Sequence, residues 1–289
     1  MQGSMSEVER RAAPPTGGGS ASRAAAPGRT GAAAAGRLGR SRHAGWLLPA
    51  AVVAAWQVAS SAGVLSDAVL PAPSAVAAAG WQLTRSGELP HHMGVSFLRA
   101  VAGLAVGGSI GFALGLANGL SRLSDRLTDT TLQMARNVPH LALIPLVILW
   151  FGIGEEAKLV LVALGVFFPV YVNTLHGIRT VDPKLIEMGR CYGMTRFALF
   201  RRIVLPGALP SVFVGLRFAL GVMWLTLIVA ETIAAQSGIG YMAMQARDFL
   251  QTDVIVLAIA IYAALGKLAD GVTRSLERRC LAWHPAFRA

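Results

Sequence analysis

Charge is scarce in this sequence: 14% of its 289 residues are charged, against about a quarter in an ordinary soluble domain. That scarcity excludes a water-soluble globule, because the apolar residues, 54% of the chain, gather in runs of roughly twenty. Such a run is the length a helix needs to cross about 30 Å of hydrocarbon. Cysteine is nearly absent too. Cys191 and Cys280 fall on segments read as cytoplasmic, so no disulfide framework is expected, and neither has the spacing of a metal site. There is no Gly-x-x-x-x-Gly-Lys-Ser/Thr phosphate loop, so the chain is not itself an ATPase of that kind. No serine or cysteine has an evident activating partner, which leaves nothing to suggest an enzyme. The net charge of +11 is not interleaved with aromatic residues, so it does not read as a nucleic-acid surface. It lies in the loops between apolar runs, as orientation signals do.

Taken in order, residues 1–44 are rich in Ala, Gly, Pro, Ser and Arg and hold almost no large apolar residue. Such a segment buries too little surface to offset its ordering entropy, and it reads as a disordered cytoplasmic tail. Arg10-Arg11 is not followed by an apolar stretch, which rejects a twin-arginine export signal. Residues 45–92 hold a first span, Trp46 to Leu65, and an outer loop whose short apolar stretch, Ala75 to Leu83, reads as an interfacial helix. The core is placed at 93–272. Its spans are Phe97 to Leu120, Val138 to Phe151, Leu159 to Leu175, Ala208 to Ile233 and Val254 to Leu268, and residues 273–289 form a second cytoplasmic tail.

Six spans with both termini inside can be oriented by charge. With the N-terminus inside, the inner segments sum to +13 and the outer segments to −4, a strong positive-inside bias. The expected protein is an all-α, polytopic membrane protein with six transmembrane helices and cytoplasmic N- and C-termini. Within the second span Gly103, Gly107, Gly111, Gly115 and Gly119 recur at every fourth position. They predict a smooth helix face for close packing against another helix. Pro139 and Pro145 predict a bent or broken third span.

The basic segment 176–206 contains a pattern of its own. Asp182-Pro183 predicts an N-cap with proline in the first turn, residues 183–191 a short helix, and Gly193 the left-handed residue that ends it. Thr195 predicts the cap of a second helix with Phe197, Phe200, Ile203 and Val204 on its apolar side, stopped by Pro206. Two short helices joined at a glycine corner make a rigid knob between two spans. This segment resembles the EAA loop of ATP-binding-cassette (ABC) importer permeases: Glu187-Met188-Gly189, three residues, Gly193, nine residues, Ile203, one residue, Leu205-Pro206. Met188 and Gly189 replace two alanines, and Gly189 is expected to loosen the helix.

The resemblance continues in Arg136-Asn137-Val138-Pro139-His140 through Pro145, in Arg217-Phe218-Ala219-Leu220-Gly221, and in Ser237-Gly238-Ile239-Gly240-Tyr241. These are similar to the branch that imports sulfonates, taurine and nitrate. Phe249-Leu250-Gln251-Thr252-Asp253 is most similar to permeases of aliphatic-sulfonate importers. The resemblance implies a type I ABC importer permease fold in the bacterial inner membrane, with a coupling loop at 181–206. Glu187, Gly189, Gly193, Ile203, Leu205 and Pro206 would meet the ATPase. It implies a permease homodimer, two ABC ATPase subunits that bind the ATP, a periplasmic or lipid-anchored sulfonate-binding protein, surrounding membrane lipid, and no cofactor in the chain itself.

Charges inside spans are costly and usually face a bundle interior or an aqueous path. Arg217, with Trp224, Asn173 and His140, is therefore a candidate for the translocation path. The alternative for Arg217 is a structural arginine bonded to carbonyls or to Asn173. Arg99, near the outer end of its span, is expected to snorkel. An ion-coupled secondary transporter would predict mid-membrane acids and an inverted repeat, and neither is seen.

Overall fold

The structure, a computed structural model, describes residues 44–283. The expectation of a disordered tail up to residue 44, and the end of the second tail, fall outside the described residues apart from Ala44. The chain parts into a unit of residues 1–52 and one of 53–289, and the packing below is that of the second. Among the described residues the structure is all-helical.

Helix α1 (Ala44–Ser61) contains Pro49, and its apolar part, Trp46–Ser61, is shorter than a full crossing. Helix α2 (Pro73–Arg85) has proline in its first turn and covers the stretch expected to be interfacial. Then come α3 (Glu88–Leu120), α4 (Arg122–Arg136), a 3-10 turn His140–Leu143, α5 (Ile144–Phe151), α6 (Glu155–Arg179), α7 (Pro183–Cys191), α8 (Arg196–Leu199), α9 (Leu205–Ala234), α10 (Ile239–Asp248) and α11 (Thr252–Cys280). Among the described residues four helices are long and apolar enough to cross a membrane, and a fifth crossing is counted if the bent pair of Arg122–Arg136 and His140–Phe151 is one span.

The prolines break that pair as expected, with a bend of 83°. Pro139 sits ahead of the 3-10 turn and Pro145 in the first turn of α5. Helix α5 has 8 residues, about 12 Å of rise, so the stretch expected as the third span is not one straight helix.

The glycine face of α3 is used as the sequence predicts. A methyl added at Gly111 would come 2.6 Å from the Phe167 carbonyl oxygen, and one at Gly115 2.8 Å from that of Tyr171. Gly103, Gly107 and Gly119 likewise press on Val162, Ala163 and Ile178 of α6. Because the numbers rise together along both helices, α3 and α6 run in the same direction. The chain between them must therefore return the length of the bundle, and the bent pair makes that return. Helix α9 packs on α6 in the opposite sense, with Gly177 against Ala208 and Gly215 against Asn173. Helix α11 runs opposite to α9, since Tyr262 bonds Glu231 while Glu277 bonds Arg217.

Candidate functional site

Two polar features sit at opposite ends of this bundle. At the end where α6 finishes and α9 begins, the segment 181–206 folds as two short helices. The Asp182 carboxylate accepts from the Lys184 N–H at 2.9 Å, and the Thr195 hydroxyl accepts from the Ala198 N–H at 3.3 Å, so both predicted caps form. Helix α7 ends with Gly193 at φ +70°. The Gly193 N–H donates to the Arg190 carbonyl at 2.9 Å and the Met194 N–H to the Gly189 carbonyl at 3.0 Å. That pair of bonds is the Schellman closure, which places a left-handed residue at the corner.

Gly189 has a packing role beyond looseness. It is buried, and a methyl there would lie 2.8 Å from Ile203 Cδ1, so the missing side chain lets α7 close on the second strut of the knob. Two expectations are corrected. Pro206 does not stop the helix: α8 passes through a π turn at Phe200–Val204 into α9, giving a continuous helix Arg196–Ile233. A π turn has already widened the hydrogen-bond ladder there, so the missing proline N–H is absorbed. Phe197 does not join the apolar contact either. It is exposed, as are Leu185, Met188 and Tyr192, while Ile186, Phe200, Ile203 and Val204 root the knob against Ile178, Val181 and Ala208.

At the opposite end lies a buried charge network. Arg99 of α3 uses all five guanidinium N–H groups. Nε and Nη2 donate to the two oxygens of Glu155 at 2.5 and 2.6 Å. Nη1 donates to Glu231 at 2.8 Å and to the Ser237 carbonyl at 2.6 Å, and Nη2 also to the Ser237 hydroxyl at 3.0 Å. Glu231 further accepts from Ser96, from the Gly240 N–H and from the Tyr262 hydroxyl at 2.8–3.0 Å. Arg99 therefore does not snorkel; it is buried and meets two carboxylates from other helices, the enclosed Glu231 and the exposed Glu155. Glu231, counted by sequence as an outer-segment charge, is equally buried.

Residues 107–281 match the family described as binding-protein-dependent transport system inner membrane component. The chain belongs to that family. It is 61% identical over 246 residues to the Escherichia coli protein named putative aliphatic sulfonates transport permease, covering 85% of this chain and 94% of that one. It is 43% identical to the Bacillus subtilis protein of the same description over 86% and 91% of the two chains. Identity to the Escherichia coli taurine transport system permease is 36%, over 81% and 87%. Among solved structures, a chain of an amino acid ABC transporter crystallised with histidines aligns at a TM-score of 0.54. It is 17% identical, with 68% of this chain and 96% of that one covered; this is a likeness of fold.

Within this inner membrane component the four path candidates separate. At 100° per residue, Gly215 and Thr226 share one face of α9, and Arg217, Trp224 and Glu231 share the opposite face. On the first face Asn173 packs on Gly215 while bonding the Pro169 carbonyl at 2.8 Å, and His140 Nε2 lies 2.9 Å from the Thr226 hydroxyl. On the second, Arg217 pairs with Glu277 and lies 3.5 Å from Asp270, and Trp224 is buried edge-on against Tyr262. The four candidates therefore do not gather on one face of α9. Neither carbonyls nor Asn173 hold Arg217, because the acids of α11 reach it first. Asp270 lies just past the expected end of the sixth span and Glu277 in the expected second tail, and the observed length of α11 brings both alongside.

A second polar knot escaped the sequence reading. Asn118 donates to Thr128 at 2.7 Å and to the Tyr171 hydroxyl at 3.0 Å, tying α3, α4 and α6 near the knob. A lone asparagine at the end of an apolar run carries no signal that its partners lie on two other helices.

Proposed function

We propose that this permease is the membrane subunit of an ATP-driven importer of aliphatic sulfonates, with segment 181–206 as the surface that receives the ATPase. The observation that carries the coupling role is the two-sided knob. Its root is packed into the bundle, whereas Leu185, Met188, Tyr192 and Phe197 stand exposed among Lys184, Arg190, Arg196 and Arg201. Large apolar side chains on a basic, water-facing loop mark a protein docking site. Glu187, Gly189, Gly193, Ile203, Leu205 and Pro206 set the shape of that surface, and Gly103, Gly107, Gly111 and Gly115 fuse α3 to the helix that leads into it.

The sulfonate assignment is supported by identity to the two relatives whose names carry that substrate. The taurine permease is a more distant relative, and taurine is itself a sulfonate. Six crossings follow if α1 is the first and the bent pair the third. The knob then faces the cytoplasm with both termini, as the positive-inside charge predicts. One knob per chain requires two copies to engage two ATPase subunits, and a soluble or lipid-anchored binding protein delivers the substrate. The test is to express the chain with its ATPase and binding protein in an Escherichia coli strain lacking its own sulfonate permease. Growth on ethanesulfonate as sole sulfur source is expected; growth on inorganic sulfate alone overturns the assignment.

A further inference from the structure

The network at the end opposite the knob holds two buried cations, Arg99 and Lys158, with side chains 5% and 4% exposed. Its two carboxylates are held very differently. Glu231 is completely enclosed and gathers bonds from Ser96, Arg99, Gly240 and Tyr262, so it is a fixed part of the wall. Glu155 is 63% exposed, is the first residue of α6, and among the described residues is held only by Arg99 and Lys158. It lies on the Nε/Nη2 edge of the guanidinium, which is the edge that grips oxyanions in bidentate fashion.

The geometry points to a latent oxyanion site in which Glu155 is a placeholder for the sulfonate group of the transported molecule. The substrate class rests on the reading above; the anion site rests on the charges alone. Glu231 neutralises one buried cation and Glu155 the other. If Glu155 swings into water, one positive charge is left without a partner behind an open door, an arrangement that is costly until an anion enters. A sulfonate has three acceptor oxygens. Two reproduce the carboxylate on Nε and Nη2, and the third reaches Lys158 Nζ, which makes one of its three possible bonds in the structure. Exchange of one monoanion for another leaves the buried charge unchanged, so the ligand is received without being held tightly. That suits a point of transit at the mouth, where Glu155 expels the anion by returning.

The experiment uses the whole transporter, permease with ATPase, in phosphatidylcholine nanodiscs so that no anionic headgroup competes, and without the binding protein. Radiolabelled ethanesulfonate is titrated onto wild type, Glu155→Ala and Glu155→Gln. Removing the placeholder should tighten ethanesulfonate binding by about tenfold in Glu155→Ala. Adding Lys158→Met to that variant should return it to the wild-type value. If Glu155→Ala does not assemble, Glu155→Gln, which still accepts from Arg99, should show a smaller gain in the same direction. Unchanged affinity in the assembled variants, or a gain that survives Lys158→Met, overturns the site. Binding-protein-dependent uptake by the wild type is measured in parallel. Uptake without any gain in the variants removes this site and leaves the function standing; a gain without uptake leaves the anion site and removes the substrate.

Discussion

Arg217 on α9 and Glu277 near the end of α11 form an ion pair across sixty positions of sequence, on the same face of α9 that carries Trp224 and Glu231. The pair fixes where α11 lies against α9, because Arg217 also stands 3.5 Å from Asp270, two turns earlier on α11.

Arg217→Gln should therefore lower stability. It leaves the largely buried Glu277 without its cation, at a cost of about 1–2 kcal/mol once the partial exposure of Arg217 is allowed for. The double variant Arg217→Gln with Glu277→Gln should recover most of that loss. Thermal unfolding followed by fluorescence-detected gel filtration measures both. Unchanged stability with impaired sulfonate uptake would move Arg217 from the scaffold to the path.

The glycine face of α3 makes a sharper forecast. Gly107→Val should collapse expression of folded protein, because its side chain meets backbone atoms of Ala163, which cannot rotate away, and overpacking of this kind costs about 1–3 kcal/mol or more. Gly108→Ala, one residue along, meets nothing nearer than 3.9 Å and should be neutral or stabilising by up to about 1 kcal/mol. A valine at 107 tolerated as well as alanine at 108 would show that α3 and α6 are not packed backbone to backbone.

At the corner of the knob, Gly193 has open space around it, so only its left-handed backbone is at stake. Gly193→Asn should keep coupling, since asparagine visits that conformation, whereas Gly193→Val should uncouple ATP hydrolysis from substrate. The strain is about 1–2 kcal/mol. Substrate-stimulated ATPase activity in proteoliposomes distinguishes them, and equal activity in both variants would remove Gly193 from coupling.

Thr226→Val keeps the shape of the side chain and deletes the bond to His140. About 1 kcal/mol should be lost, and amide exchange should quicken across the 3-10 turn and α5, which that bond tethers to α9. Exchange that stays as slow as in the wild type would mean the prolines alone hold the bend.

Much of this was readable beforehand. Twenty-residue apolar runs give the long helices because hydrocarbon thickness sets their length, the period-four glycines give the α3 contact, and Asp182, Gly193 and Thr195 give the knob through local capping chemistry. Helix ends were not readable from hydropathy. Helix α3 begins at Glu88 and α11 reaches Cys280, each well beyond its apolar run. The charge network was missed for a related reason. Arg99, Glu155 and Glu231 each stand near the end of a span, where a single charge reads as an anchor to the water. Their meeting depends on α3 and α6 running the same way, and that parity comes from the broken segment between them.

The network also sets an order of events during synthesis. Arg99 enters the membrane 56 positions before Glu155 and 132 before Glu231. At about 5–20 residues per second, the arginine waits on the order of ten seconds for its permanent partner. Glu155, the exposed carboxylate, arrives first and can shelter the charge until the ribosome delivers Glu231. Glu155 is thus the first of the network's two carboxylates that the nascent chain offers to Arg99. A slowed ribosome between codons 155 and 231 would lengthen the interval in which Glu155 is the one network carboxylate within reach of Arg99.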